Sequence, residues 1–169
     1  KKQARELVAE AARSVGMPFV TERWWGGMMT NFSTIRRSIK KMNNLDRMLA
    51  DDSLTSVTKK ERLTLPRERN KMEKVLGGIA NLNRLHAALF IVDIHHEHIA
   101  LAEAKKLGMR TIAMVDTNSD PTKVDFPIPA NDDASKSISV ITAYMTEAIQ
   151  EGLREREKAS AKREAASNG

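Results

Sequence analysis

The chain has 169 residues, of which 41% are hydrophobic, so it suits one domain with a sizeable core and excludes wholesale disorder. It has no cysteine, which excludes disulfide frameworks, thiolate metal sites and cysteine nucleophiles. Its 28 lysines and arginines exceed its 22 acidic residues, and the net charge of +6 favours a polyanionic partner. The longest apolar run, residues 87–92, is far shorter than the roughly 20 residues of a membrane span, so no membrane partner is expected.

The first predicted element is a helix that ends near Gly16, because apolar residues recur there at a 3.6-residue period. A short strand from Phe19 to Thr21 and a loop from Arg23 to Gly27 are predicted to follow. The helix begins in mid-pattern and ahead of any strand. We therefore expect that the first strand of the fold is missing from this chain.

Two long helices are predicted in the segment 28–76. The first runs from Asn31 to about Ala50 and carries an apolar residue at every third or fourth position. Glycine pairs stand just before this segment and just after it. The segment therefore reads as an antiparallel helical hairpin that protrudes from the domain into which it is inserted.

The second of these helices has a clear start signal. Thr58 and Glu61 form a capping box, in which each side chain accepts a hydrogen bond from the other residue's backbone. Pro66 lies farther along the helix. We expect it to kink or restart the helix, because proline lacks a backbone donor.

Strands and helices alternate in the rest of the chain. Strands are predicted at 87–93, 111–116 and 125–129, with a helix at 97–107 and a final helix that opens near Asn131. Strands of this apolar kind, alternating with helices, indicate a parallel sheet covered on both faces. The domain organisation is thus an α/β domain over 1–155, interrupted by the hairpin, and a charged flexible tail over 156–169.

The net charge is confined to one part of the chain. Residues 28–76 contain twelve cations and six anions, whereas the other 120 residues contain sixteen of each. A neutral body with a basic two-helix arm is suited to contacts with a phosphate backbone. The alternative is an ordinary solvated helix face. The candidate RNA-binding residues of the arm are Arg36, Arg37, Lys40 and Lys41.

A second candidate RNA contact is the loop that precedes the arm. It contains Arg23 and the only two tryptophans, Trp24 and Trp25. An exposed indole can stack on an unpaired base. The alternative is that a tryptophan packs the base of the hairpin onto the sheet, and we expect this for at least one of the two, since adjacent side chains point apart.

Carboxylates are predicted to gather at the carboxyl end of the sheet, where open α/β folds bind ligands. Asp116 follows one strand, and Asp132 and Asp133 precede the last helix. Together these three could hold a divalent metal, zinc or magnesium. The interpretation that we favour for each residue alone is structural, with Asp132 capping its helix and Asp116 closing its turn.

Motifs for catalysis are largely absent from the sequence. It has neither a glycine-rich dinucleotide or phosphate loop nor a serine elbow. The zinc-protease motif also fails, because the position four residues after His96 is Ala100. No small-molecule substrate is therefore expected. Two alternatives remain, a small metal-dependent α/β enzyme that uses the carboxylates and a coiled-coil adaptor whose hairpin binds a protein helix.

Several long motifs resemble one family, bacterial small-subunit ribosomal protein S-two, in its order and spacing. They are Arg23–Asn31, Leu76–Ile79, Ala88–Asp93 followed by His96–His98, Val115–Pro121 and Ile128–Ala134. The resemblance covers nearly all of residues 1–155. The chain departs from the family pattern in lacking the family's first part and in having Ala130 and Pro66.

The resemblance implies a flavodoxin-like three-layer α/β domain with a protruding helical hairpin. It also implies a structural role without catalysis in the small subunit of the cytoplasmic ribosome. The implied partners are small-subunit ribosomal RNA and other small-subunit proteins, including ribosomal protein S-one, which the family helps to recruit for translation initiation.

Overall fold

A computed structural model describes residues 1–50 and 58–167. Asp51, Asp52 and Ser53, whose composition predicts the end of the first long helix, lie outside these residues. Single turns of 3₁₀ helix lie at Gly77–Ile79 and Pro121–Lys123. The helices are α1 (Arg5–Ser14), α2 (Phe32–Ala50), α3 (Lys59–Leu76), α4 (His98–Lys106) and α5 (Ser135–Ser167), and the strands are β1 (Ala88–Ile91), β2 (Arg110–Val115) and β3 (Phe126–Pro129).

The three strands form one parallel sheet in the order β1-β2-β3, with helices on both faces. Successive residues of β2 point to opposite faces, as strand geometry requires. Ala113 packs on one face with Leu101 of α4. Met114 packs on the other with Ile138 of α5 and Ala4, just before α1. These layers confirm the predicted flavodoxin-like α/β fold, and β3, with its two prolines, lies at a sheet edge as expected.

The predicted strand from Phe19 to Thr21 is not a strand in the structure. Phe19 donates one backbone hydrogen bond, to the carbonyl oxygen of Gly78 at 3.1 Å. Phe19 and β1 both line a cavity of about 450 Å³, and within residues 1–50 and 58–167 no strand pairs with the segment from Phe19 to Thr21. The approach to Gly78 is close, because a Cβ there would lie 2.1 Å from the Phe19 oxygen.

Helices α2 and α3 pack chiefly on each other, which agrees with the predicted pairing. Buried side chains near the start of α2, Ile35 and Ile39, meet Leu76 at the end of α3. The start of one helix thus lies against the end of the other, which is the antiparallel arrangement. How far the pair protrudes from the domain stays a prediction.

The local signals in α3 had different outcomes. The capping box is confirmed, since Thr58 and Glu61 bond reciprocally at the start of the helix. Of the two effects expected at Pro66, the restart is wrong, because α3 runs through this residue to Leu76 without a break, and the kink stays a prediction. The proline lies in the second turn, and the packing of the following residues on α2 holds the helix together beyond it.

The last helix is longer than its apolar stripe. α5 continues through residues 156–167, where every side chain that the structure describes is exposed. The flexibility of this tail stays a prediction. Among residues 1–50 and 58–167, no helix combines the length and the apolar character that crossing a bilayer requires.

Candidate nucleic-acid interface

The two tryptophans of the loop before α2 differ in environment. Trp24 is half-buried, packs against the core at the base of the helix pair, and donates its indole N–H to Glu103 at 3.2 Å. Trp25 is 37% exposed, and its neighbour Arg23 is exposed as well. The loop therefore offers one indole, that of Trp25, and one guanidinium to a partner, while Trp24 fixes the loop to the domain.

One buried carboxylate organises the whole loop. Glu103 of α4 is only 7% exposed. Its Oε1 accepts from the indole of Trp24 and from the backbone N–H of Gly27 at 2.6 Å. Its Oε2 accepts from the backbone N–H groups of Met29 and Thr30, both at 2.9 Å, and from the Thr30 hydroxyl at 3.1 Å. Five donors thus tie the start of the helix pair to α4.

These donors keep Glu103 ionised. Burial by itself disfavours the charged form, but the backbone N–H groups that point at the carboxylate outweigh it, and the pKa of Glu103 is lowered. Sequence reasoning did not single out this residue. The available signal was an acidic residue on the apolar face of a helix, flanked by the buried Ala100, Leu101 and Ala104.

The four candidate cations of α2 are all exposed, but they are not equivalent. Lys41 binds Glu68 of α3 at 2.5 Å. Arg36, Arg37 and Lys40 make no ion pair with any residue that the structure describes. The charges of these three are therefore available to a partner, whereas that of Lys41 is partly compensated within the helix pair.

A second ion pair joins the two helices. Arg69 of α3 binds Asp46 of α2 at 2.5 Å and Glu73 of its own helix at 3.5 Å. Exposed pairs of this kind contribute little to stability. Their effect on charge is larger, because they engage Asp46, Glu68 and Glu73, three of the four acidic side chains described in α2 and α3, with only two cations, Lys41 and Arg69.

The structure brings Asp116, Asp132 and Asp133 together, as the sequence predicted. One oxygen from each lies within 4.8 Å of the others. The side chain of Lys1 also enters this cluster. Its Nζ contacts Asp132, Asp133 at 2.8 Å and Asp93 at 3.0 Å. The ammonium group thus supplies positive charge among these carboxylates, which no sequence pattern had indicated.

The structural roles expected for two of these aspartates had different outcomes. Asp116 does close its turn, accepting from the backbone N–H groups of Thr117 at 2.7 Å and Asp132 at 3.2 Å. The expected cap by Asp132 is wrong. Asn131 accepts instead from the backbone N–H groups of residues 133 and 134, both at 2.8 Å, because Asp132 is turned inward to Lys1.

One carboxylate oxygen of the aspartate cluster is buried without a hydrogen-bond partner in the part of the chain that the structure describes. Asp132 is 1% exposed, and its Oδ2 has no hydrogen-bond partner among the described residues. Burial is the main cause that raises the pKa of Asp132, and the nearby charges of Asp93 and Asp116 raise it further, against the effect of Lys1. The pKa of Lys1 is raised, because its three carboxylate partners outweigh its own desolvation.

Comparison with known proteins identifies relatives of this chain. A sequence model of the family described as ribosomal protein S2 matches residues 1–152. Three of its relatives are each named small ribosomal subunit protein uS2. That of Cytophaga hutchinsonii is 59% identical over 94% of this chain and 62% of its own length. That of Porphyromonas gingivalis is 56% identical over 92% and 56%, and that of Chlorobaculum tepidum 57% identical over 89% and 61%. The chain therefore spans about three fifths of the length of these relatives.

Proposed function

Because the chain belongs to the ribosomal protein S2 family, we propose that it is a structural, non-catalytic component of the small ribosomal subunit that binds ribosomal RNA. The observation that carries this proposal is the charge distribution. All of the +6 net charge lies in residues 28–76. The exposed cations Arg36, Arg37 and Lys40 have no acidic partner among the described residues.

The proposed contacts divide into two kinds. Arg36, Arg37 and Lys40 bind phosphates, which fixes the position of the protein but reads no base sequence. Trp25 stacks on an unpaired base, with Arg23 on an adjacent phosphate. Lys41 adds less than its three neighbours, because Glu68 already compensates its charge. Trp24 holds the loop on Glu103 and makes no RNA contact.

The proposal extends to proteins and to location. We propose that the protein acts in the cytoplasm, on the ribosome, beside other small-subunit proteins, and that it supports recruitment of ribosomal protein S-one. The resemblance of the motifs between Arg23 and Ala134 supports this part. The alternative of a metal-dependent enzyme is set aside, because the relatives carry the name of a small ribosomal subunit protein.

Cosedimentation with small subunits tests the proposal. We expect the protein to stay with the subunits in a salt-containing gradient. Changing Arg36, Arg37 and Lys40 together to glutamate should release it without unfolding it, since exposed charges change stability little. The matched control changes three exposed cations of α5, Arg156, Lys158 and Lys162, to glutamate. If the α2 variant stayed with the subunits as fully as the α5 control, the proposed role of α2 would be contradicted.

We also propose that the carboxylate cluster holds a divalent cation with a structural role. The buried Oδ2 of Asp132, which has no described partner, favours this. An all-oxygen set suits magnesium better than zinc, which prefers nitrogen and sulfur ligands. A chelator should then lower the melting temperature of the protein, and Asp132→Asn should abolish that effect. An identical melting temperature with and without chelator would mean that Lys1 alone balances the cluster.

A further inference from the structure

The outer face of α3 carries a row of cations to which the function proposed above assigns no contact. The row consists of Lys60, Arg67, Lys71 and Lys74, and all four side chains are exposed. They follow one another at intervals of seven, four and three residues. At 3.6 residues per turn these intervals place all four on one face, within an arc of about 60°. With a rise of about 1.5 Å per residue, the row is about 21 Å long.

None of these four cations is paired with an acidic residue that the structure describes. The reason is that each acidic side chain of α3 is bonded to another partner. Glu61 is engaged in the capping box with Thr58. Glu68 binds Lys41 across the helix pair, and Glu73 binds Arg69. Every acidic side chain of α3 is thus engaged by a partner outside the row. Leu63, at the edge of the row, is 66% exposed and adds an apolar surface between the cations.

The row faces away from α2. Met72 and Leu76 pack α3 into the core that it shares with α2, and at 100° per residue they lie about 130° and 170° around the helix from the middle of the row. The same holds for α2, where Ile35 and Ile39 are buried and Arg36 and Lys40 are exposed. The cations of α2 and those of α3 therefore point in different directions from the helix pair.

From this arrangement we propose that the helix pair bridges two RNA segments, with α2 on one phosphate backbone and the outer row of α3 on a second. The inference rests on the proposed RNA-binding function and adds a second contact to it. A duplex carries one negative charge per about 1.7 Å of its axis, so any stretch as long as the row supplies phosphates within reach of all four cations. An acidic protein surface would instead need carboxylates at matching intervals.

Hydroxyl-radical footprinting of small-subunit RNA tests the bridge. The α2 variant changes Arg36, Arg37 and Lys40 to glutamate, and the α3 variant changes Arg67, Lys71 and Lys74. The α5 triple variant, with Arg156, Lys158 and Lys162 changed, is the control of equal charge. At a salt concentration low enough to keep both variants bound, we expect the α2 and α3 variants to lose protection at two different sets of nucleotides. Each should also lower the steepness of the salt dependence by about two to three units, at about 0.7–0.9 per phosphate contact.

The outcomes separate this inference from the function on which it rests. A wild-type footprint and salt dependence for the α3 variant, with a lost footprint for the α2 variant, would overturn the bridge and leave RNA binding by α2 intact. Loss of the same nucleotides by both variants would also overturn it, since only one segment would be bound. Cross-links from α3 to a protein but not to RNA would overturn the bridge, because the outer row would then bind an acidic protein surface and not a second RNA segment. A folded wild-type protein with no footprint at all would refute both proposals.

Discussion

The buried carboxylate of Glu103 should be the most sensitive single position in the loop before α2. Glu103→Gln keeps the shape of the side chain but replaces one acceptor oxygen by an amide group that only donates. The amide of the new glutamine can be placed in two ways. In the placement that keeps more hydrogen bonds, its oxygen still accepts from the backbone N–H groups of Met29 and Thr30, and its NH₂ group faces the N–H groups of Trp24 and Gly27. Two donors then lose their acceptor.

The expected loss of stability follows from those two donors. A buried donor left without an acceptor costs about 1–3 kcal/mol. Trp24 and Gly27 are only half-buried, so water offsets part of the cost. We therefore expect the free energy of unfolding to fall by about 2–4 kcal/mol, a large share of the roughly 5–15 kcal/mol typical of a domain.

Urea denaturation measures this change directly, with Glu147→Gln as the control. Glu147 is exposed on α5 and has no described partner, so its neutralisation should change the unfolding free energy by less than about 0.5 kcal/mol. If Glu103→Gln unfolded at the same urea concentration as Glu147→Gln, the reasoning about the five donors would be wrong.

The same carboxylate predicts a dependence on pH. Because its pKa is lowered in the folded protein, the contribution of Glu103 to stability is complete at pH values above the ordinary glutamate pKa. It is lost as the pH falls below the ordinary glutamate pKa, about 4.3, and through the lowered pKa. Wild type should lose more stability over this acidic range than Glu103→Gln, as measured by urea midpoints at several pH values. Parallel pH profiles would contradict the assignment.

Three further predictions concern other parts of the chain. Lys1→Met should lower the melting temperature, because Asp132 would stay buried without its ammonium partner. Lys2→Met, at an exposed position, should leave it unchanged, and equal melting temperatures for the two variants would show that the carboxylate cluster does not need the Lys1 ammonium. Thr58→Ala should cost about 0.5–2 kcal/mol in urea denaturation by removing the cap of α3, and no change would mean that the cap is redundant. Amide hydrogen exchange should be fast in residues 156–167, which have no buried side chain among those described, and slow in β2; slow exchange in the tail would refute its predicted flexibility.

The predictions from sequence succeeded where the signal was local. The 3.6-residue period gave α2 nearly to its ends, and the Thr58–Glu61 pair gave the first turn of α3. The alternation of apolar strands and helices gave the parallel sheet. Each of these signals lies within one element, so neighbouring residues alone carry the information.

The predictions failed where the outcome depends on distant partners. Phe19 to Thr21 has the composition of a strand, but a strand also needs a paired neighbour, and no composition supplies that. Asp132 and Asn131 are both good caps, and only the position of Lys1, 131 residues away, decides between them. The role of Glu103 depends in the same way on donors more than 70 residues distant.

The measurement that tests the account most directly is the salt dependence of binding to small-subunit RNA. The central claim is that the uncompensated cations of α2 and α3 bind phosphates. The logarithm of the affinity should then fall linearly with the logarithm of salt concentration. Changing Arg36, Arg37 and Lys40 to glutamate should make that fall shallower by about two to three units, at about 0.7–0.9 per contact. The α5 triple variant should keep the wild-type slope. An unchanged slope and affinity in the α2 variant would mean that its basic face is only a solvated surface.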